Sequence, residues 1–154
     1  MSRSDPAGDL PFVDEHRTLV AVPPAAVWRS LGAQFTHHRA TGADLLAHLL
    51  GTVPRRAGGP PLTEGAAVPG FAVAEAVPGR RLRLAGRHRF SRYVLRFDLA
   101  DHTGGTLVSA RTYAEFPGPH GALYRLLVIG SGGHRLAVRR MLRDIRDRAE
   151  RDSA

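Results

Sequence analysis

From Phe12 to Val22 the residues Val13, Leu19, Val20 and Val22 alternate loosely with Asp14, Glu15, Arg17 and Thr18, the period-two pattern of a strand with one wet face. Pro23 and Pro24 end that strand. Proline is accepted in the first helical turn, so Pro24 to Leu31 is predicted as a short helix with Val27, Trp28 and Leu31 turned inward. A second short helix is predicted over Gly42 to Leu50. From Gly51 to Pro69 the chain holds Pro54, Gly58, Gly59, Pro60, Pro61 and Gly65, which suits neither regular period and predicts a long crossing loop, placed to help close a pocket mouth.

Strand-like runs follow at Phe71 to Val77, Arg80 to His88, Phe90 to Ala100 and Thr106 to Phe116, with turn chemistry at Pro78-Gly79 and at Asp101 to Gly105. The third run is the clearest: Tyr93, Leu95, Phe97 and Leu99 fall on one face, Arg92, Arg96 and Asp98 on the other. The chain closes on a helix, because Val138, Met141, Leu142, Ile145 and Ala149 recur at spacings of three and four. Its outer face pairs Arg140 with Asp144, Asp144 with Arg148, Arg143 with Asp147 and Asp147 with Arg151, each pair worth only about 0.2–0.5 kcal/mol. The apolar stretch Tyr124 to Ile129 is assigned to the same element, broken or bent at Gly130 to Gly133.

The 154 residues, 43% hydrophobic and 23% charged, are expected to form one domain over 12–150, with a disordered leader at 1–11 and a tail at 151–154. Cysteine is absent, which excludes disulfides, cysteine-ligated zinc and thiol nucleophiles. No stretch approaches the roughly 20 apolar residues of a membrane span, and Met1 to Pro11 has no apolar run, so a cytoplasmic protein is expected. The net charge is +8 and every basic residue is arginine. An anionic ligand or surface therefore enters the alternatives.

Two segments carry a family likeness: Val20-Ala21-Val22-Pro23-Pro24-Ala25-Ala26-Val27-Trp28, leading from a strand into a helix, and the arginine-rich terminal helix. With one strand, two short helices, a run of antiparallel strands and a long last helix, the chain resembles the SRPBCC superfamily, which includes START, Bet v 1-like and polyketide cyclase/dehydrase-like proteins. The resemblance spans roughly Phe12 to Ala149. It implies an α+β helix-grip fold, in which a curved antiparallel sheet wraps the C-terminal helix. It also implies a cavity between them for a hydrophobic or amphipathic small molecule. The superfamily shares no catalytic residue that could be carried onto a position here. The proline- and glycine-rich loop stands where further strands often lie.

Candidate site residues follow from side-chain chemistry. His88 and Tyr93 flank a strand junction with Ser91, and facing the cavity they would donate a hydrogen bond or move a proton; the competing reading is a capped turn beside a core tyrosine. On the next strand Arg111, Tyr113 and Glu115 share one face and Val108, Ala110, Thr112 and Ala114 the other; which face is concave stays open, and the reading adopted turns the larger set inward. Trp28, Leu95 and Phe97 are expected to line the cavity, with His120, Tyr124 and Arg125 at its mouth and His134 facing it. Val128 to Arg135 superficially suggests a dinucleotide loop, but Arg135 replaces the last glycine and no βαβ unit follows. No histidine spacing suits a metal, so neither metal nor cofactor is expected.

Arg80, Arg81, Arg83, Arg87, Arg89, Arg92 and Arg96 form a basic stretch with no acid, though Tyr93 and Phe97 lie on the opposite face from most of it, which argues against nucleic acid. The expected function is metabolite binding, extending to cofactor-independent cyclase, dehydratase or lyase-like proton transfer through Tyr93, Arg111, Tyr113, Glu115 and His88. The alternatives are a non-catalytic carrier, sensor or interaction domain, and a binder of anionic polymers, as a monomer or homodimer.

Overall fold

The computed structural model describes residues 10–37, 62–68, 71–88, 91–130 and 132–154. Strand β1 (Phe12–Val20) leads into helix α1 (Pro24–His37). The antiparallel strands β2 (Ala67–Val68), β3 (Phe71–Val77), β4 (Arg81–His88), β5 (Ser91–His102) and β6 (Gly105–Glu115) follow. Helix α2 (Gly118–Arg125) continues through a π turn (Leu126–Gly130), and α3 (Gly133–Asp152) closes the chain. The sheet order is β1-β6-β5-β4-β3-β2, so the last strand formed pairs with the first and brings β1 beside β6. With β2 only two residues long, five strands carry the sheet.

The fold class is α+β of the helix-grip kind. One face of the sheet, called inner below, is set by the register: His16, Ala110, Phe97, Leu82 and Ala76 lie in one row across it, and Asp14, Thr112, Leu95, Leu84 and Val73 in the next. Leu82, Leu84, Leu95, Phe97, Val108 and Ala110 of this face are buried with Val27 and Leu31 of α1 and with Val138, Leu142, Ile145 and Ala149 of α3. Those α3 positions share one helical stripe, and full burial of each larger side chain stabilises by about 1.5–3 kcal/mol.

Polar contacts fix the C-terminal half of α3 and the β1–α1 turn, those of the Ser30 and Thr106 hydroxyls being buried. The Ser30 hydroxyl donates to the Ile145 carbonyl at 2.7 Å, the Ala21 amide donates to Glu150 Oε1 at 3.0 Å, and the Thr106 hydroxyl donates to the Val22 carbonyl at 2.7 Å. In the apolar interior such groups would cost heavily if left unpaired.

Several expectations change. Helix α1 runs six residues past Leu31, because Gln34 and Phe35 continue its inward stripe. The loop expected from Gly51 to Pro69 contributes β2, and the helical stretch expected from Tyr124 begins earlier, at Gly118, because Pro119 falls in the first turn, where its missing N–H costs nothing. The bend expected at Gly130 to Gly133 is present, with Gly132 in the left-handed region at φ 79°. Asp147 lies 3.4 Å from its neighbour Arg146 rather than meeting a residue four away. The second short helix, Gly42 to Leu50, lies outside the described residues.

The β5–β6 turn depends on Gly105. Its φ of 155° is strained for other residues, and a Cβ there would stand 1.9 Å from the Val20 carbonyl oxygen, which is backbone and cannot swing aside. Gly104, at φ 86°, has nothing within 4 Å of such a Cβ. Gly105→Ala is therefore predicted to cost about 3 kcal/mol and Gly104→Ala only about 1 kcal/mol, read as shifts in urea unfolding midpoints.

Candidate functional site

A bulge in β1 sets up the site. Asp14 pairs with Thr112 while Phe12 pairs with Tyr113, so two steps along β1 match one along β6, and Val13 is the extra residue. The shift sends Phe12 to the outer face, where its ring meets Tyr113 edge-on at 5.8 Å. Asp14 and His16, two apart on the regular part of the strand, both face inward.

There Asp14 is held between two imidazoles. His16 Nε2 lies 3.1 Å from Asp14 Oδ2, and His134 Nε2 lies 3.4 Å from Oδ1 and 3.1 Å from the Thr112 hydroxyl. His134 is the second residue of α3, and the left-handed Gly132 turns the chain so that this ring comes back to the sheet. The side chains of Asp14, His16 and His134 are only 16%, 12% and 20% exposed. Asp14 Oδ1 is buried and accepts no hydrogen bond of good geometry. A buried carboxylate oxygen in that state is costly, and functional sites are where such orphans gather.

The phenols lie along the same face. Tyr93 pairs with Ala114 and Gly86, one diagonal step from Thr112, and its ring packs edge-on against Phe71 at 5.1 Å. Burial first, and the neighbouring Tyr124 phenol second, push the Tyr93 hydroxyl well above the ordinary tyrosine range. Burial also raises Tyr124. Both are therefore neutral at physiological pH and serve as donors rather than bases. Tyr124 is half-buried, tilted on Phe116 at 6.2 Å.

The structure divides the residues singled out from sequence. Tyr93, Tyr124 and His134 lie near the inner face. Leu95 and Phe97 face inward too, but they are 5% and 0% exposed and belong to the packed core, and Trp28 packs at its edge. Arg111, Tyr113 and Glu115 fall on the outer face, correcting the inward reading: the smaller set, Val108, Ala110, Thr112 and Ala114, is the buried one, with Val108 and Ala110 in the core shared with α1 and α3. His120 and Arg125 are exposed on α2, Arg125 lying 6.0 Å from the Phe116 ring centre. The side chain of His88, and Arg89 and Phe90 beside it, lie outside the described residues. Asp14, His16 and Thr112 were missed, although an Asp-x-His spacing on a strand places both groups on one face.

The outer face is an ion lattice. Arg81 and Arg96 each approach Asp98 at 2.7 Å, and Arg111 reaches it at 3.8 Å and Glu15 at 3.2 Å. Arg92 meets Glu115 at 3.3 Å, and Glu75 stands 4.0 Å from Arg81 and 3.9 Å from Arg83. The basic stretch thus receives carboxylates from neighbouring strands, which weakens the case for a polymeric anion there. Burial alone would raise the Asp98 pKa, but the Arg81 and Arg96 hydrogen bonds and charges outweigh it and the net shift is downward. An open groove of ≈ 470 Å³ runs past Arg80, Arg81, Asp98 and Asp101 where the β3–β4 turn meets the start of α1. Two of its charged residues, Arg81 and Asp98, are paired within this lattice.

Among the described residues no group of three or more histidine or acidic side chains is placed to hold a metal ion, and no helix is long and apolar enough to cross a membrane. No family model matches the sequence, and no curated protein matches it. Solved structures do. The chain is similar to a protein from Thermus thermophilus (TM-score 0.59, 18% identity, covering 94% of this chain and 100% of that one). It is also similar to CalU16 from Micromonospora echinospora (TM-score 0.55, 20% identity, 96% and 89% covered) and to a protein from Rhizobium leguminosarum (TM-score 0.60, 15% identity, 90% and 93% covered). At these identities the likeness is one of fold.

Two outcomes are expected. In a double-mutant cycle of Asp14→Ala and His134→Ala, urea denaturation at neutral pH should give a coupling of about 1 kcal/mol, whereas additivity would mean that the two groups merely lie near each other. Because the folded Asp98 carboxyl titrates below its ordinary 3.8, its stabilisation is complete above that pH and disappears as pH falls through the lowered folded value. The stability advantage of the unsubstituted protein over Asp98→Asn should therefore be constant from neutral pH down to about pH 5 and shrink below pH 4.

Proposed function

We propose that this chain is a small-molecule-binding domain of the helix-grip type, akin to the polyketide cyclase-like members of the SRPBCC superfamily. Its ligand would lie between the inner sheet face and the C-terminal helix. The observation that carries the reading is Asp14 Oδ1, a buried acceptor without a hydrogen bond, beside an imidazole and a hydroxyl on an otherwise apolar face. A ligand hydroxyl or amide would satisfy it, and the two neutral phenols of Tyr93 and Tyr124 would serve a carbonyl. The partly buried Phe71 beside Tyr93 suits an apolar skeleton. The occupant is thus a hydrophobic or amphipathic metabolite with a few oxygens.

A second reading, proton transfer, is favoured by the geometry of His134. With Nε2 hydrogen-bonded to the Thr112 hydroxyl and 3.4 Å from Asp14 Oδ1, the ring would be held in one orientation and Nδ1 would remain to take or give a proton. A carrier would use the same groups without turnover.

Native mass spectrometry of the protein purified from its own host tests the binding reading. A retained small molecule is expected, and it should be lost from Asp14→Ala and His134→Ala but kept by the outer-face variant Arg111→Gln. Retention by all three variants would remove the site from the inner face. With that molecule in hand, His134→Ala lowering turnover by about 100-fold or more would favour catalysis over carriage.

A further inference from the structure

The second half of the chain exposes an apolar surface that neither the inner site nor the ion lattice uses. Helix α2 turns Gly121 and part of Tyr124 inward. A Cβ on Gly121 would come within 2.6 Å of the Phe116 backbone, so this side is pressed against the preceding segment. On the other side Leu123, Leu126 and Leu127, at helical spacings of three and four, are 56%, 65% and 63% exposed, and Leu136 in the first turn of α3 is 65% exposed. Scattered exposed leucines are ordinary, but three on one helical segment with a fourth just past the bend mark an interaction surface.

Charge identifies the partner. From Phe116 to Arg143 there is no acidic residue, while Arg125, Arg135 and Arg139 are exposed around the leucines. A second copy presenting the same patch would bring these arginines face to face, which an isologous contact disfavours. Single-stranded nucleic acid would want exposed aromatic platforms, and this surface offers aliphatic ones. A surface with anionic headgroups above a hydrocarbon layer satisfies both features at once.

We propose that α2, the π turn and the first turn of α3 dock on an anionic lipid bilayer, the leucines entering the headgroup boundary and Arg125, Arg135 and Arg139 pairing with lipid phosphates. This docking needs no occupant in the inner site. The test is co-sedimentation of the full chain with vesicles of phosphatidylcholine mixed with phosphatidylglycerol, and with phosphatidylcholine alone. Binding is expected to the anionic vesicles only and to weaken with salt. It should fall about fivefold for each of Arg135→Gln and Arg139→Gln and about tenfold for each of Leu126→Ser and Leu136→Ser. Far-ultraviolet circular dichroism should be unchanged in these surface variants. Failure to bind either vesicle would overturn the proposal. So would anionic binding indifferent to the leucine variants, which would assign it to overall charge, or a leucine-dependent dimer in solution, which would assign the patch to a second copy.

Discussion

The apolar stripe of α3 pressed against the inner sheet face is the constraint on which everything else rests. Val138, Leu142, Ile145 and Ala149 bury against strands whose inward positions are themselves apolar, and Ser30 and Glu150 pin the C-terminal half of the helix to α1 and to the β1–α1 turn. With that half fixed by packing, the N-terminal end can meet the sheet through polar groups. His134 is where the change occurs, four residues before Val138 on the same helical side. The sheet answers with Asp14, His16 and Thr112 at its β1–β6 edge, while the rest of the same rows stays apolar toward β3.

The two faces of the sheet handle charge in opposite ways. Outside, arginines and carboxylates from five strands interleave in partly solvated pairs, each of which contributes little alone but which together keep a +8 protein from repelling itself along that surface. Inside, one carboxylate faces two imidazoles in a largely dry setting, where an unmet acceptor is far more expensive. That asymmetry is the reason to look for a ligand on the inner face.

Much of the architecture could be read from periodicity, because a strand such as β5 and a helix such as α3 declare their faces in their own residues: Leu95, Phe97 and Leu99 inward, Val138 to Ala149 in one stripe. The site could not be read in the same way. Asp14 and His16 sit in a stretch that looks like a wet face, and the bulge at Val13 that separates Phe12 from them is a property of pairing with β6. The orientation of Arg111, Tyr113 and Glu115 was ambiguous because both sets on β6 contain groups that can be buried, and the decision came from Val108 and Ala110 joining the core that both helices share. The acids that neutralise the arginines, Glu15, Glu75, Asp98 and Glu115, come from four different strands, so no local window reveals them together.

The central claim is that the charge of a carboxylate on β1, 3.4 Å away, biases the tautomer of an imidazole at the start of the C-terminal helix that is hydrogen-bonded to Thr112. Long-range nitrogen-15 NMR of the histidine rings at neutral pH measures this directly. The account requires His134 to hold its proton on Nε2, toward the Thr112 hydroxyl and beside Asp14, with Nδ1 bare, and to lose that preference in Asp14→Ala. A His134 protonated on Nδ1, or a tautomer indifferent to the removal of Asp14, would contradict it.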